Sequence, residues 1–257
     1  MSKKLIYLFS FVLVMGLALA NVARGVDPGL VGWWKFDEMA GTIAYDSSGN
    51  GNDGTFVGDP QWVAGKIGGA LEFDGNGDYV DCGAILAFNI NTNITVACWI
   101  KVRQLDKSWQ AIVTKGDDSW RVHRHNSSNN LGWGTTGPSS RNTRGSVNVN
   151  DGQWHHVAGV YDGTQKHLYM DGNLDVSENS TGNINNSSYN VNIGENAEAT
   201  GRYWDGLIDD VRVYNRVLTQ EEIQQIMIGI PPGTAFDPSP ADEETDVPRE
   251  VVLSWTS

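Results

Sequence analysis

Short runs in which apolar and polar residues alternate dominate the middle of the chain, from Gly32 to Tyr214. Trp33-Trp34-Lys35-Phe36, Ala70-Leu71-Glu72-Phe73, Asp78-Tyr79-Val80-Asp81 and Ile94 to Val102 are of this kind. Ala111-Ile112-Val113, Trp154 to Tyr161, His167 to Met170, Val191-Asn192-Ile193 and Leu207 to Tyr214 follow. A period of two sends successive side chains to opposite faces, so each run predicts a strand. Between the runs stand Ser47-Ser48-Gly49-Asn50-Gly51-Asn52, Asp74-Gly75-Asn76-Gly77, Asp162-Gly163 and Asp171-Gly172-Asn173. Gly, Asn and Asp accept the backbone conformations that tight turns need. Many short strands joined by such turns predict an antiparallel sandwich or jelly roll.

One segment has a helical period. Thr219-Gln220-Glu221-Glu222 reads as a capping box, in which Thr219 accepts from the third helical N–H and Glu222 reaches back. Ile223, Ile226 and Met227 then share a face, and Gly229 followed by Pro231-Pro232 stops the helix. The pattern predicts a helix over 219–228. Pro231 to Pro248 holds five Pro and five acids and reads as a linker. Residues 249–257, with Val251-Val252-Leu253-Ser254-Trp255, read as one further strand. Together with Asp246-Val247-Pro248 it is similar to the opening of an immunoglobulin-like or fibronectin type III-like module, here truncated.

At the other end, Ser2-Lys3-Lys4 precedes the apolar run Leu5 to Ala20, which closes on Ala18-Leu19-Ala20. A basic start, a short apolar stretch and small residues at the exit predict a signal peptide over 1–20, cleaved after Ala20. The alternative, a membrane anchor, needs roughly 20 apolar residues, more than this run provides. The expected organisation is therefore a signal peptide (1–20), one β domain (21–230), an acidic linker (231–248) and the start of a truncated module (249–257).

Charge narrows the partners. The 257 residues carry 31 acids against 18 bases, a net charge of −13. Phosphate recognition needs clustered Lys and Arg, so neither nucleic acid nor an anionic membrane surface is an expected partner. Export permits a disulfide between the two cysteines, Cys82 and Cys98. Burial of both as free thiols is the competing reading, because Cys98 sits in the strand-like Thr95 to Ile100 run.

Six segments, in this order, are similar to those of the laminin G-like jelly-roll domain of the concanavalin A-like lectin/glucanase superfamily, in its bacterial extracellular form. They are Gly32 to Glu38, Asp46 to Gly54, Ala70 to Val80, Asp151 to Ala158, Tyr169-Met170-Asp171-Gly172, and Gly206 to Asn215, with Leu218 to Ile223 matching the terminal helix. The resemblance implies an all-β fold: two antiparallel sheets of about six or seven strands packed face to face, plus one short C-terminal helix. It also implies a ligand on the concave side or rim loops, and core positions for Trp34, Trp99, Trp154 and Trp204.

The chemistry-bearing residues divide into three groups. Glycoside hydrolases that resemble this fold carry Glu-x-Asp-x-x-Glu on one strand, a motif absent here. Asp117-Asp118, Asp209-Asp210 and Glu221-Glu222 are adjacent pairs, unlike the spaced carboxylates that glycoside hydrolysis requires. No catalytic site is expected. His155 and His156 are neighbours in a strand and point to opposite faces, so they do not form a metal site.

Calcium is the expected cofactor, in a structural role, since hard oxygen ligands suit it. Asp74 and Asp78, in Asp74-Gly75-Asn76-Gly77-Asp78, offer oxygens at alternating spacing. Asp209 matches the position that holds a structural calcium in related jelly rolls. Turn chemistry at Asp74 and Asp78, and pairing of Asp209 or Asp210 with Arg212, are the competing readings.

Third, residues 104–145 are rich in Trp, His and Arg. Trp120, Val122 and Arg124 alternate with Arg121, His123 and His125, and Trp109 and Trp133 flank them. Aromatic faces stack on sugars while Arg and His donate to hydroxyls. Trp109, Trp120, Arg121, His123, His125 and Trp133 are the candidate ligand contacts, on a basic strand face suited to an acidic polysaccharide. Packing of the large side chains in the core is the competing reading. The expected protein is a secreted or cell-surface, non-catalytic module that recognises carbohydrate or a cell-surface protein. The alternatives are an adhesion module of a large multidomain surface protein, and a polysaccharide hydrolase or lyase.

Overall fold

Each apolar-alternating run becomes a strand of one of two sheets in the computed structural model, which describes residues 27–232. The signal peptide and the terminal strand lie outside the described residues, as does the linker after Pro232. The first sheet, A, contains β1 (Leu30–Trp34), β4 (Gln61–Ala64), β5 (Gly69–Asp74), β7 (Ile94–Val102), β12 (Trp154–Tyr161), β13 (Gln165–Met170), β14 (Asn173–Asn179) and β16 (Asp205–Tyr214). The second sheet, B, contains β2 (Ile43–Ala44), β3 (Gly54–Val57), β6 (Tyr79–Asp81), β8 (Ala111–Thr114), β9 (Trp120–Arg124), β10 (Leu131–Thr135), β11 (Asn142–Arg144) and β15 (Asn192–Ile193). Sheet A runs β14-β13-β12-β7-β16-β5-β4, and sheet B runs β11-β10-β9-β8-β15-β6-β3-β2. All the pairings are antiparallel; β5 and β1 share one edge of β16, at Asp205–Ile208 and Val211–Tyr214 respectively. The fold is the expected all-β jelly-roll sandwich, with eight strands in each sheet. The additional strands include β10, whose Leu-Gly-Trp-Gly-Thr sequence carries too little β-branched character to announce itself.

Alternation along the strands sorts side chains between the inner core and the outer faces. Ile94, Val96, Cys98, Ile100 and Val102 of β7 point inward, where they meet Val122 and Trp133 of sheet B. The other face of sheet A carries Ala97, Ala158, Val160 and Tyr214, and α1 (Gln220–Met227) lies on it through Ile223 and Ile226. The helix starts as expected: Thr219 accepts from the Glu222 amide, and the Glu222 carboxylate accepts from the Thr219 amide. Gly229 follows with φ 78°, a conformation open to glycine.

Two packing expectations are corrected. Cys82 and Cys98 are free and buried. Cys98 is on β7 of sheet A and Cys82 directly follows β6 of sheet B, both facing the common core, and sheets packed face to face stand about 10 Å apart, beyond the roughly 4.4–6.8 Å between Cα atoms that a disulfide spans. Trp34, Trp99 and Trp204 are buried as expected, whereas Trp154, the first residue of β12, is only half-buried.

Candidate functional site

The outer face of sheet B is not covered by the helix, and the candidate residues divide across this sheet. Trp120 and Trp133 are both 0% exposed and belong to the inner core. The Trp120 indole donates to the Phe88 carbonyl at 3.2 Å and the Trp133 indole to the Val160 carbonyl at 3.1 Å. Gly159 of sheet A makes room for Trp133: a Cβ there would stand 2.4 Å from the indole. Period-two alternation offered two faces for β9, and burial of the larger apolar rings decided between them. Trp120 and Trp133 are therefore corrected from ligand contacts to core residues.

Arg121 and His123 take the opposite face, but they too are sealed. Their side chains lie flat against Gly134 and Gly132 of β10, where an added Cβ would stand 2.9 and 3.0 Å from them. The Arg121 guanidinium donates to the Asp117 carbonyl at 2.7 Å and to Asn142 Oδ1 at 2.7 Å, with the Asp117 carboxylate 3.5 Å away. Burial pulls Arg121 down to about 10 and His123 down to about 3, so the imidazole is neutral. Arg124 is an internal staple, donating to the carbonyls of Lys107, Ser127 and Ser128. The basic face expected for an acidic polysaccharide is thus largely used within the fold. Trp109 does join His123 and His125: its ring lies 5.2 and 5.3 Å from theirs, on a backbone at φ 61°.

The candidate calcium ligands are likewise separated. Asp74 Oδ1 accepts from the Asn76 amide at 2.6 Å, and Asp78 accepts from the amides of Asp59 and Asp74 at 2.7 and 3.2 Å. Both shape turns. Asp74 pairs with Asp205 on β16, so Asp209 lies four residues further along, roughly 13 Å at the rise of a strand. Among the described residues no three His, Cys, Asp or Glu side chains converge on a metal-sized point. Asp209 nonetheless has the character of a cation ligand. Its Oδ2 accepts from the amides of Lys66 and Ile67 at 2.8 and 2.9 Å, while its Oδ1 is buried without a partner. Burial, helped by the charges of Asp210 and Asp37, pushes its carboxyl up to about 7. Asp210 instead pairs with Arg212 at 3.0 Å.

The most site-like feature lies elsewhere on the outer face of sheet B. A cleft of about 340 Å³ opens over β6 and β15, lined by Tyr79, Asp81, Tyr189, Asn190, Asn192 and Tyr203. Tyr79 and Asp81 flank the inward Val80, and Asn192 adjoins the inward Val191 and Ile193. Asn190 donates to both oxygens of Asp81, each at 2.9 Å. Asn192 is 4% exposed, and its Oδ1 has no partner. The wall of the cleft is the 195–203 loop, wound around the buried Glu195 carboxylate, which accepts from the amides of Asn196, Gly201 and Arg202 at 2.6, 3.0 and 3.1 Å. None of the residues that line the cleft was among the expected contacts. The signal available was the alternation in Tyr79-Val80-Asp81 and Asn190-Val191-Asn192-Ile193, which sets polar and aromatic groups outward; their juxtaposition is a product of strand order.

Comparison with known proteins agrees with this architecture. The model of the concanavalin A-like lectin/glucanases superfamily matches residues 74–224, more than half of the sequence. The chain belongs to this superfamily. No curated protein matches it. Among solved structures, it is similar to the binding domain of Paraclostridial Mosquitocidal Protein 1, with a TM-score of 0.65 at 16% identity over 77% of this chain and 52% of that one. Domain 4 of AbnA, a GH43 extracellular arabinanase from Geobacillus stearothermophilus in complex with arabinotriose, gives 0.60 at 21% identity over 77% and 98%. The binding domain of botulinum neurotoxin DC in complex with SialylT gives 0.59 at 14% identity over 77% and 50%. The chain spans about half the length of the toxin domains it matches. At these identities the likeness is one of fold.

Proposed function

We propose that this chain is an exported, non-catalytic binding module of the superfamily, and that the cleft over β6 and β15 takes a carbohydrate. The observation that carries the reading is the cleft's lining: three tyrosine rings around two asparagine amides and two carboxylates. Sugars present C–H faces to aromatic rings and hydroxyls to fixed polar groups, and binding sites commonly combine apolar walls with a few oriented polar atoms. That two of the similar structures are complexes, one with arabinotriose and one with SialylT, supports the same reading. So does the use of the cleft's carboxylates in internal hydrogen bonds, Asp81 with Asn190 and Glu195 with three amides, which leaves no free acid–base pair for glycoside hydrolysis. No helix among the described residues is long and apolar enough to cross a membrane. Calcium at Asp209 belongs to the proposal as a structural ion that would satisfy the partnerless Oδ1 on the other sheet.

Affinity electrophoresis tests the site. In gels cast with a panel of soluble polysaccharides, at least one is expected to retard the protein, and Tyr79→Ala and Tyr203→Ala to restore free migration. Retardation that both variants retain would move the binding surface away from this cleft.

A further inference from the structure

The cleft is walled on one side and open on the other. Its wall, the 195–203 loop, stands over β8: the Thr114 hydroxyl donates to the Glu195 carbonyl at 3.0 Å, and the Ala111 amide to the Arg202 carbonyl at 2.8 Å. Away from the wall, sheet B continues from β6 through β3 to its edge at β2. Phe56 and Ala44 of these two strands point into the core, so Val57, Thr55 and Ile43 take the outer face with Tyr79 and Asp81. Tyr45, next to the buried Ala44, lies on the same side as Ile43.

The register makes this surface continuous with the cleft. Val57 stands directly opposite Tyr79, Thr55 opposite Asp81, and Ile43 opposite Thr55. Side chains so paired have Cβ atoms roughly 4.5–5.5 Å apart. Three strand spacings separate β15 from β2, about 14 Å across the sheet. Val57, Ile43 and Tyr45 are 37, 39 and 55% exposed. One exposed apolar residue is ordinary on any surface; three that extend a tyrosine-lined cleft toward its open side form a track. The cleft itself, at about 340 Å³, is at the small end of ligand sites. Successive units of a glycan chain each present a C–H face that such side chains can cover. Resting on the glycan reading of the cleft, we infer that its ligand is a chain of several sugars running across the strands, with one unit against Tyr79 and later units over Val57, Ile43 and Tyr45.

The test is calorimetry of the full chain with arabinan, xylan and β-glucan oligosaccharides graded from monosaccharide to hexasaccharide. For at least one series, affinity is expected to rise with length. The double variant Ile43→Thr with Tyr45→Ala, whose fold is checked by circular dichroism, is expected to weaken the longest member about tenfold and to leave the shortest binding member unchanged. Tyr79→Ala is expected to weaken every member. A gain with length that survives the double variant would overturn the track over β3 and β2, and affinity independent of length would overturn the extended ligand; both would leave the cleft as a glycan site. Binding indifferent to Tyr79→Ala would overturn the cleft reading itself, and no binding of any series by folded protein would overturn both for these glycans.

Discussion

Replacing Glu195 should open the wall of the cleft while leaving the two sheets in place. Its buried carboxylate accepts three backbone N–H groups of the 195–203 loop, a loop that otherwise has little regular structure. Hydrogen bonds to a charged group contribute about 1.5–3 kcal/mol each when buried, and less where water can replace the acceptor. Asn196 is buried, Arg202 half-buried and Gly201 exposed, so only the first amide loses its acceptor without replacement. The sum for Glu195→Ala is about 2–5 kcal/mol. Glu195→Gln keeps one oxygen and sets an NH2 against one N–H, for a loss of about 1–2 kcal/mol. Because β15 and β16 stay paired with their neighbours, most of this loss should appear as local opening. Hydrogen exchange read residue by residue should therefore show amide protection at 196, 201 and 202 falling tenfold for each 1.4 kcal/mol, while β7 and β16 change much less. Glycan affinity should fall with it, since Tyr203 loses its fixed position. Unchanged protection at 196 and 202, or an equal fall across β7, would refute the assignment of Glu195 as the loop's local organiser.

Other outcomes follow from the buried ionisable groups and the caps. His123 and His156 are both held down to about 3 by burial, so their contribution is full above about 6.5 and is lost as pH falls toward 3. Asp209, pushed up to about 7, acts with the opposite sign, its protonation stabilising the fold as pH falls from 7 toward 4. Between pH 7 and 5 the two histidines lose about 4 kcal/mol and Asp209 returns about 2, so urea unfolding in chelator should show a net loss of about 2 kcal/mol that deepens to about 4 in Asp209→Asn. Adding calcium should raise Tm in the wild type and leave Asp209→Asn unmoved; equal rises in both would remove the ion from this position. Reductant should not change Tm, because both cysteines are free, and a fall of several degrees with dithiothreitol would contradict this. Thr219→Ala, which removes one half of the capping box, should lower stability by about 1 kcal/mol in a denaturant titration, and no change would mean that packing alone fixes the helix start.

The fold was legible where local chemistry decides it. Asp74-Gly75-Asn76-Gly77 gives a turn at the end of β5, and Thr219 to Glu222 opens the helix where the capping pattern places it. Alternation in Trp120 to His125 separated the two faces of β9 without saying which would be buried. A basic face rich in histidine looked available to a ligand, yet Gly132 and Gly134 on the neighbouring strand let Arg121 and His123 lie down and become sealed. That contact depends on the pairing of β9 with β10, which no single segment encodes. The cleft was illegible for the same reason. Tyr79 and Asp81 reach Asn192 only because β15 inserts between β6 and β8, a juxtaposition of segments distant in sequence. Short-range pattern therefore gave strands, turns and faces, and strand order gave the site.

The two outer faces of the sandwich have been put to different uses, and this argues for where recognition belongs. On sheet A, Ala97, Ala158, Val160 and Tyr214 form an apolar surface that α1 and Leu218 cover. Trp99 there donates to the Met227 carbonyl at 3.2 Å, and Trp33 lies between the cations of Lys35 and Arg212. Its aromatic rings are committed to holding the helix and the first strand. On sheet B, the outward residues near β6 and β15 are Tyr, Asp and Asn, of which Asp and Asn are poor β-formers and would lose by burial under a helix. The buried, partnerless Asn192 Oδ1 beneath them costs the domain about 1–3 kcal/mol. The tyrosine rings beside them, in a cleft walled by a loop that Glu195 holds in place, are therefore the aromatic surface of this sheet left uncommitted to the fold.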